Sequence, residues 1–493
     1  MELVFILAYP ILAAVLVAIR PNPRLFAASL IVFGLGVTAS ALHALVGAVG
    51  SAAGLPGSSE VSTRLSGHLN LPALSVWGDF AVAPAFYLTA LNAPMILLLG
   101  LAILFVSLLL HSHHSNQPGY MVSAWVFILG LSGTFVSDSL VLFYVFFELS
   151  LIGIYFWIGL FGQSDANGKK PALTRFFLFT LVGSLAMLIS IAALSSGGKD
   201  VRWSDLAGVI GQFSATARSW IFLGFLLAFA IKLPLFGLHG WLRDTYSIAP
   251  PVARALLSGV MSKLGAFGLL LLAVNFGSEF RSHANFLTFL FTAGVLYGAL
   301  VSLAQKRFLD VIIFASLSHL NLIGLGLATT VGQGSDSSVV AACSLQMLNH
   351  GLIMAAILVF DARLKSPDES RTGLREKSRL LAAFLLVSLF AAVSLPGLSS
   401  FPAELIILYS TFRWSFVAVF VAALGLLISA GAVIRSYHRI FLGQHSGYTE
   451  ATAELTPLET LPPLVFALVW IVLGLAPQLI LSPIVRALGQ VSP

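Results

Sequence analysis

The 493-residue chain is 58% hydrophobic and only 9% charged, with a mean hydropathy of +0.97. Soluble domains carry roughly a quarter charged residues, so a soluble enzyme or binding module is excluded. The net charge is +6, but Lys and Arg stand singly or in short clusters between apolar runs. That pattern marks membrane topology, not a nucleic-acid groove.

Apolar runs fall near 2–19, 25–49, 91–110, 120–137, 139–162, 173–194, 218–235, 251–275, 285–304, 308–330, 337–360, 380–412, 415–442 and 461–485. Runs of this length and uniformity predict an all-α integral membrane protein of about 14 transmembrane helices. The first run lacks a basic leader and is read as a retained helix. Two runs carry proline breaks, Leu233-Pro234 and Leu395-Pro396-Gly397, which predict discontinuous helices.

Loops alternate in charge. One side holds 17 Lys and Arg and the other, with both termini, holds 7; Lys232 and Lys263 lie within helices. The positive-inside rule puts both termini on the non-cytoplasmic side of a multi-pass protein. The mixed-charge loop from Asp361 to Arg379 is the longest cytoplasmic segment and is available to a partner.

A faint internal repeat is present. Leu151-Ile152-Gly153 returns as Leu322-Ile323-Gly324, and the two Leu-Pro breaks stand 162 residues apart. The predicted organisation is therefore residues 1–115 with helices 1–3, a first five-helix repeat over 116–280, a second, inverted repeat over 281–445, and a last helix within 446–493. On this register Glu148 corresponds to His319.

With so few charges, those inside apolar runs carry the chemistry. Glu148, Lys232, Lys263 and Glu404 are buried by position, and His319 and His350 sit in the same kind of run. A charge at mid-bilayer costs roughly 2.5–3.5 kcal/mol, so these groups must pair, hydrate or change protonation state. Ion pairs serving as helix glue would explain them structurally, but desolvation makes such pairs a poor route to stability. Acids, lysines and histidines in successive helices read better as a proton relay. His111, His113 and His114 form a loop cluster without a neighbouring Cys, Asp or Glu, and are read as interfacial rather than metal-binding. The single cysteine, Cys343, holds no cluster, and nucleotide and haem motifs are absent, so this chain performs no redox catalysis.

The stretches FFELSLIGIYFWIG, AIKLPLFGLHGWLRDTYSIAPP, SKLGAFG, QKRFLDVIIFASLSHLNLIG, LQMLNHGLIMAAI and LPGLSSFPAELIIL occur in order over about residues 140–410. In these the chain resembles the antiporter-like membrane subunits of respiratory complex I, of the chain M or mitochondrial subunit 4 type. The resemblance implies a subunit of a proton-translocating NADH:quinone oxidoreductase in a bacterial inner membrane. Its partners would be other membrane-arm subunits, including two sister antiporter-like chains. FMN, iron–sulfur clusters and quinone would belong to partner subunits, leaving this chain without a cofactor or metal. It further implies Glu148 and Lys232 as the input pair, Lys263, His319 and His350 as the central relay, and Glu404 as the output residue. His239 and Asp310 support them. Membrane-arm subunits of hydrogenases and Mrp-type cation/proton antiporters share the pattern and stand as the alternative. Glu404 separates them, because the sister chains and the Mrp homologue usually carry Lys there. The loop HGWLRDTYSIAP departs from the family's HTWLPDAHxxAP, with Arg243 in place of Pro and Tyr246 in place of His.

Overall fold

The computed structural model describes residues 1–50, 67–77, 80–110, 116–163, 166–332, 336–364, 373–376, 378–442 and 454–489. The histidine cluster at 111–114 and residues 365–372 and 377 of the charged loop lie outside these residues. In chain order the helices are α1 (Glu2–Ile19), α2 (Pro23–Gly50), α3 (Ala93–Leu109), α4 (Pro118–Val136), α5 (Leu140–Phe161), α6 (Ala166–Leu194) and α7 (Leu206–Ile210). There follow α8 (Ala215–Lys232), α9 (Leu242–Ile248), α10 (Pro251–Leu256), a π-turn (Leu257–Met261), α11 (Ser262–Asn275), α12 (Gly277–Ser282) and α13 (Ala284–Ala304). The remainder are α14 (Phe308–Gly332), α15 (Ser337–Arg363), α16 (Arg379–Ala392), α17 (Ser400–Trp414), α18 (Phe416–Tyr437), α19 (Pro457–Leu475) and α20 (Gln478–Gly489).

Each of the fourteen apolar runs coincides with a helix or a broken pair. By length and composition, however, 11 described helices can cross a membrane, or 12 if the bent pair Glu459–Leu475 and Gln478–Gly489 is one span. The expected fourteen thus exceeds what length alone supports. The shortfall is α3, of 17 residues, and α16 with α17, divided at the second break. The last run is not one straight helix either: α19 and α20 meet at 57°, where Pro477 cannot continue the ladder.

Local chemistry sets the helix starts. Ser139 accepts from Leu142 N–H (3.1 Å) to cap α5, and Ser214, Asp336 and Ser415 do the same for α8, α15 and α18. Thr456 and Glu459 form a reciprocal capping box on α19.

The all-α expectation missed a small β layer between α2 and α3. Strands β1 (Gly67–Asn70) and β4 (Ala85–Leu88) pair antiparallel around the inner hairpin β2 (Leu74–Trp77) and β3 (Phe80–Val82). Bridges from Phe86 to Ser137 and from Ala81 to Lys199 tie this region to the start of α5 and to the segment after α6.

In the interior, α4 runs along α5 and α13 along α14. Both pairs touch through glycine: a Cβ on Gly153 would lie 2.4 Å from the Phe127 backbone, and one on Gly324 would lie 2.2 Å from the Phe291 ring. The apolar spans of α14 and α15 are buried, so their polar residues form the centre of the molecule.

The two helix breaks share one backbone pattern. Leu235 N–H donates to Ala230 O and Leu395 N–H to Phe390 O, five residues back in each case. Gly237 (φ 87°) and Gly397 (φ 92°) then occupy the left-handed region that favours glycine. These equivalences set the register of the breaks at 160 residues, not the 162 between the Leu-Pro strings. Pro234 precedes Leu235, whereas Pro396 follows Leu395.

Candidate functional site

The first break ends α8 at Lys232, whose side chain is buried. Its Nζ has no hydrogen-bond partner and stands 4.5 Å from the centre of the Phe147 ring. Glu148, the next residue on α5, also leaves a buried carboxylate oxygen, Oε1, without a partner. The expected Glu148–Lys232 pair is therefore open in this structure: the acid acts on the lysine through space, and an aromatic face makes the close contact. Trp241, beyond the break, donates its indole N–H to Ile231 O (3.1 Å), satisfying a carbonyl that the interrupted ladder frees.

Lys263 follows the π-turn. Its Nζ donates to Ser258 O (2.7 Å) and Ser262 Oγ (3.1 Å), while Ser262 Oγ donates to the same carbonyl (2.7 Å). Such wide turns recur where a helix must present a functional group. Gly265 packs this helix onto the end of α8, since a Cβ there would sit 2.4 Å from Leu233 N. The two lysines thus lie beside one backbone contact.

The second half of the site is closed. His319 Nδ1 of α14 lies 2.8 Å from Glu404 Oε1 of α17, and Gln346 Nε2 of α15 donates to that same oxygen (2.7 Å). The His350 ring stacks 5.9 Å from His319 at 29°, with neither nitrogen hydrogen-bonded, and Lys263 and His319 both act on it electrostatically. Asn349 Nδ2 donates to Ser399 O (2.6 Å), tying α15 to the residue before α17. Burial without solvent makes each of these polar contacts worth more than its surface counterpart.

The supporting residues lie elsewhere. His239 Nε2 meets the Tyr297 hydroxyl at 3.1 Å, on α13. Asp310, buried at the start of α14, accepts from half-exposed Arg243 Nη2 (2.8 Å), with Arg307 at 4.0 Å. The departure at Arg243 thus supplies the partner of Asp310. Tyr246 is buried and packs its ring against Trp241.

Sequence reasoning missed Gln346, which is uncharged. Its signal was available: it precedes His350 by four residues and so shares its helical face. It also missed two ion pairs, Arg218–Glu279 (2.9 Å), with only the acid buried, and the buried Arg254–Asp361 (3.7 Å).

The bundle thus has two broken helices and gathers Lys263, His319, His350 and Glu404 in its buried interior. Residues 137–429 match the family model described as NADH:quinone oxidoreductase/Mrp antiporter, TM, and the chain belongs to that family. Among relatives, NADH-quinone oxidoreductase subunit M of Mycobacterium tuberculosis is 34% identical over 363 residues. The match takes in 70% of this chain and 64% of that relative, so this chain spans just under two thirds of its length. Respiratory complex I from Thermus thermophilus with bound NADH contains a chain matching with a TM-score of 0.82, 27% identity and 99% coverage of both chains. The Mrp complex from Dietzia sp. matches with a TM-score of 0.82 over 99% of this chain and 97% of that one; at 20% identity it shows a shared fold.

Proposed function

We propose that this chain is a proton-translocating membrane subunit of an NADH:quinone oxidoreductase of the complex I type. It acts in a translocase assembly whose redox cofactors belong to other subunits. The observation that carries this reading is the buried contact of His319 with Glu404, beside His350 and Lys263. The names and titles of the matched relatives and structures support the host assembly, and the loop charge asymmetry supports termini outside the cytoplasm of a bacterial cell.

In this reading Glu148 closes onto Lys232 to hold a proton and withdraws to release it towards Lys263. His350 and His319 then pass it to Glu404. Unit charges about 4 Å apart at an effective dielectric near 20 interact by roughly 4 kcal/mol. Moving a proton against ~150–200 mV needs roughly 3.5–4.6 kcal/mol. Closing and opening one such pair is the right size for the task, and the open Glu148–Lys232 arrangement corresponds to the released state.

The test is NADH-driven proton uptake by inverted membrane vesicles. Glu404→Gln should lower pumping and redox turnover together, with Glu404→Asp retaining part of both. Full pumping by Glu404→Gln reduces the residue to a structural one. The Mrp-type alternative predicts cation/proton exchange that persists without NADH oxidation.

A further inference from the structure

We infer that the cleft between α2, α3, α4 and α10 binds one acyl chain of an anionic phospholipid, whose phosphate is held at Arg24. The inference is independent of the proton relay. The cleft encloses a cavity of about 380 Å³, and its inner wall, including Ile103, Ala124, Ile128 and Leu256, is apolar and buried. Trp157 forms part of that wall.

The cleft opens where helix ends gather at one membrane interface. Pro23 starts α2, Leu110 follows α3, and Tyr120 and Val252 lie within the first turns of α4 and α10. Arg24 is the only charged residue lining it, is exposed, and makes no ion pair or side-chain hydrogen bond among the described residues. Arg20 lies one helix end away, and the lining contains no carboxylate. From Pro23 to Leu30 the wall descends about 10 Å at ~1.5 Å per residue, against a leaflet core of about 15 Å. An apolar slot of that depth under an unpaired guanidinium matches an acyl chain below a phosphate. A soluble anion would leave the slot empty, and a neutral lipid would leave Arg24 unpaired. One cation near an anionic lipid favours binding about fivefold.

Photoaffinity labelling of the full chain, in proteoliposomes and in its native membranes, tests the inference. Two acyl-diazirine probes are compared in otherwise zwitterionic vesicles, phosphatidylglycerol and phosphatidylcholine. The phosphatidylglycerol probe should label residues 103–110 and 120–128 about fivefold more. Arg24→Gln should bring that ratio near 1, and Arg24→Lys should keep most of it. Ala124→Trp, which fills the slot, should reduce labelling by both probes. Equal labelling of the unaltered chain by both probes, or a ratio unchanged in Arg24→Gln, overturns the headgroup site. Lack of lipid labelling in native membranes, with the slot covered by a neighbouring protein chain, overturns the lipid occupant.

Discussion

The two helix breaks share a backbone pattern and hold opposite electrostatic states. At the first, Lys232 is buried without a hydrogen-bond partner against a ring, and half-buried Glu148 leaves its buried Oε1 without one. At the second, Glu404 receives Gln346 and lies against His319 on a single oxygen. A buried polar atom without a partner costs about 1–3 kcal/mol, and more if charged, so the first site holds free energy that closure would release. The second site pairs its acid, while the unpartnered nitrogens of His350 lie beside that pair rather than in it. The comparison locates the movable element at Glu148–Lys232 and the fixed one at His319–Glu404.

The sharpest way to break that contrast is to remove the movable pair. Glu148→Gln and Lys232→Ala should each abolish most NADH-driven proton uptake, and the double variant should lose no more than either alone, because both act on one step. Restoring an acid one helical turn earlier, with Tyr144→Glu in Glu148→Gln, should recover part of the activity, since position 144 lies on roughly the same face. Near-normal pumping by assembled Glu148→Gln would end the idea of a movable pair.

An intermediate effect is expected at the fixed site. Gln346→Leu removes one hydrogen bond to Glu404, worth roughly 1.5–3 kcal/mol when the acceptor is charged. Proton uptake should fall about tenfold at unchanged assembly, with Gln346→Glu failing to rescue because it places a second acid against the first. Unaltered uptake in Gln346→Leu would show that His319 alone holds Glu404.

The smallest effect is expected at Phe147. Phe147→Leu keeps an apolar side chain and loses the cation–π contact, worth about 0.5–2 kcal/mol. A change of a few fold in turnover would fit a ring that competes with Glu148 for the ammonium. A loss as large as that of Glu148→Gln would mean the ring, not the acid, sets the state of Lys232.

Most of the candidate site was legible in the sequence because a charge inside an apolar run has few explanations. Lys263, His319, His350 and Glu404 were found this way and do gather in one buried line. Gln346 carries no charge, so the same filter passed over it. The open state of Glu148 and Lys232 depends on side-chain direction, which residue spacing does not encode. Proline marked both breaks but misplaced their register by two residues, because the left-handed turn, rather than the imino ring, is the repeated feature. The β layer escaped notice because hydropathy reports on crossings and is silent on short pairs of strands between them.

The two breaks also differ in what their loose carbonyls hold. Trp241 returns to Ile231 within the same segment, so the first joint is a closed loop that carries its own fastening. Asn349 reaches from α15 to Ser399, so the second joint is fastened to a neighbour. In mechanical terms, a push on α17 is delivered through this hydrogen bond to the helix bearing Gln346 and His350, whereas the first joint meets α11 by packing at Gly265. The donor on Asn349 therefore works as a tie rod, making the second break a transmission point instead of a hinge.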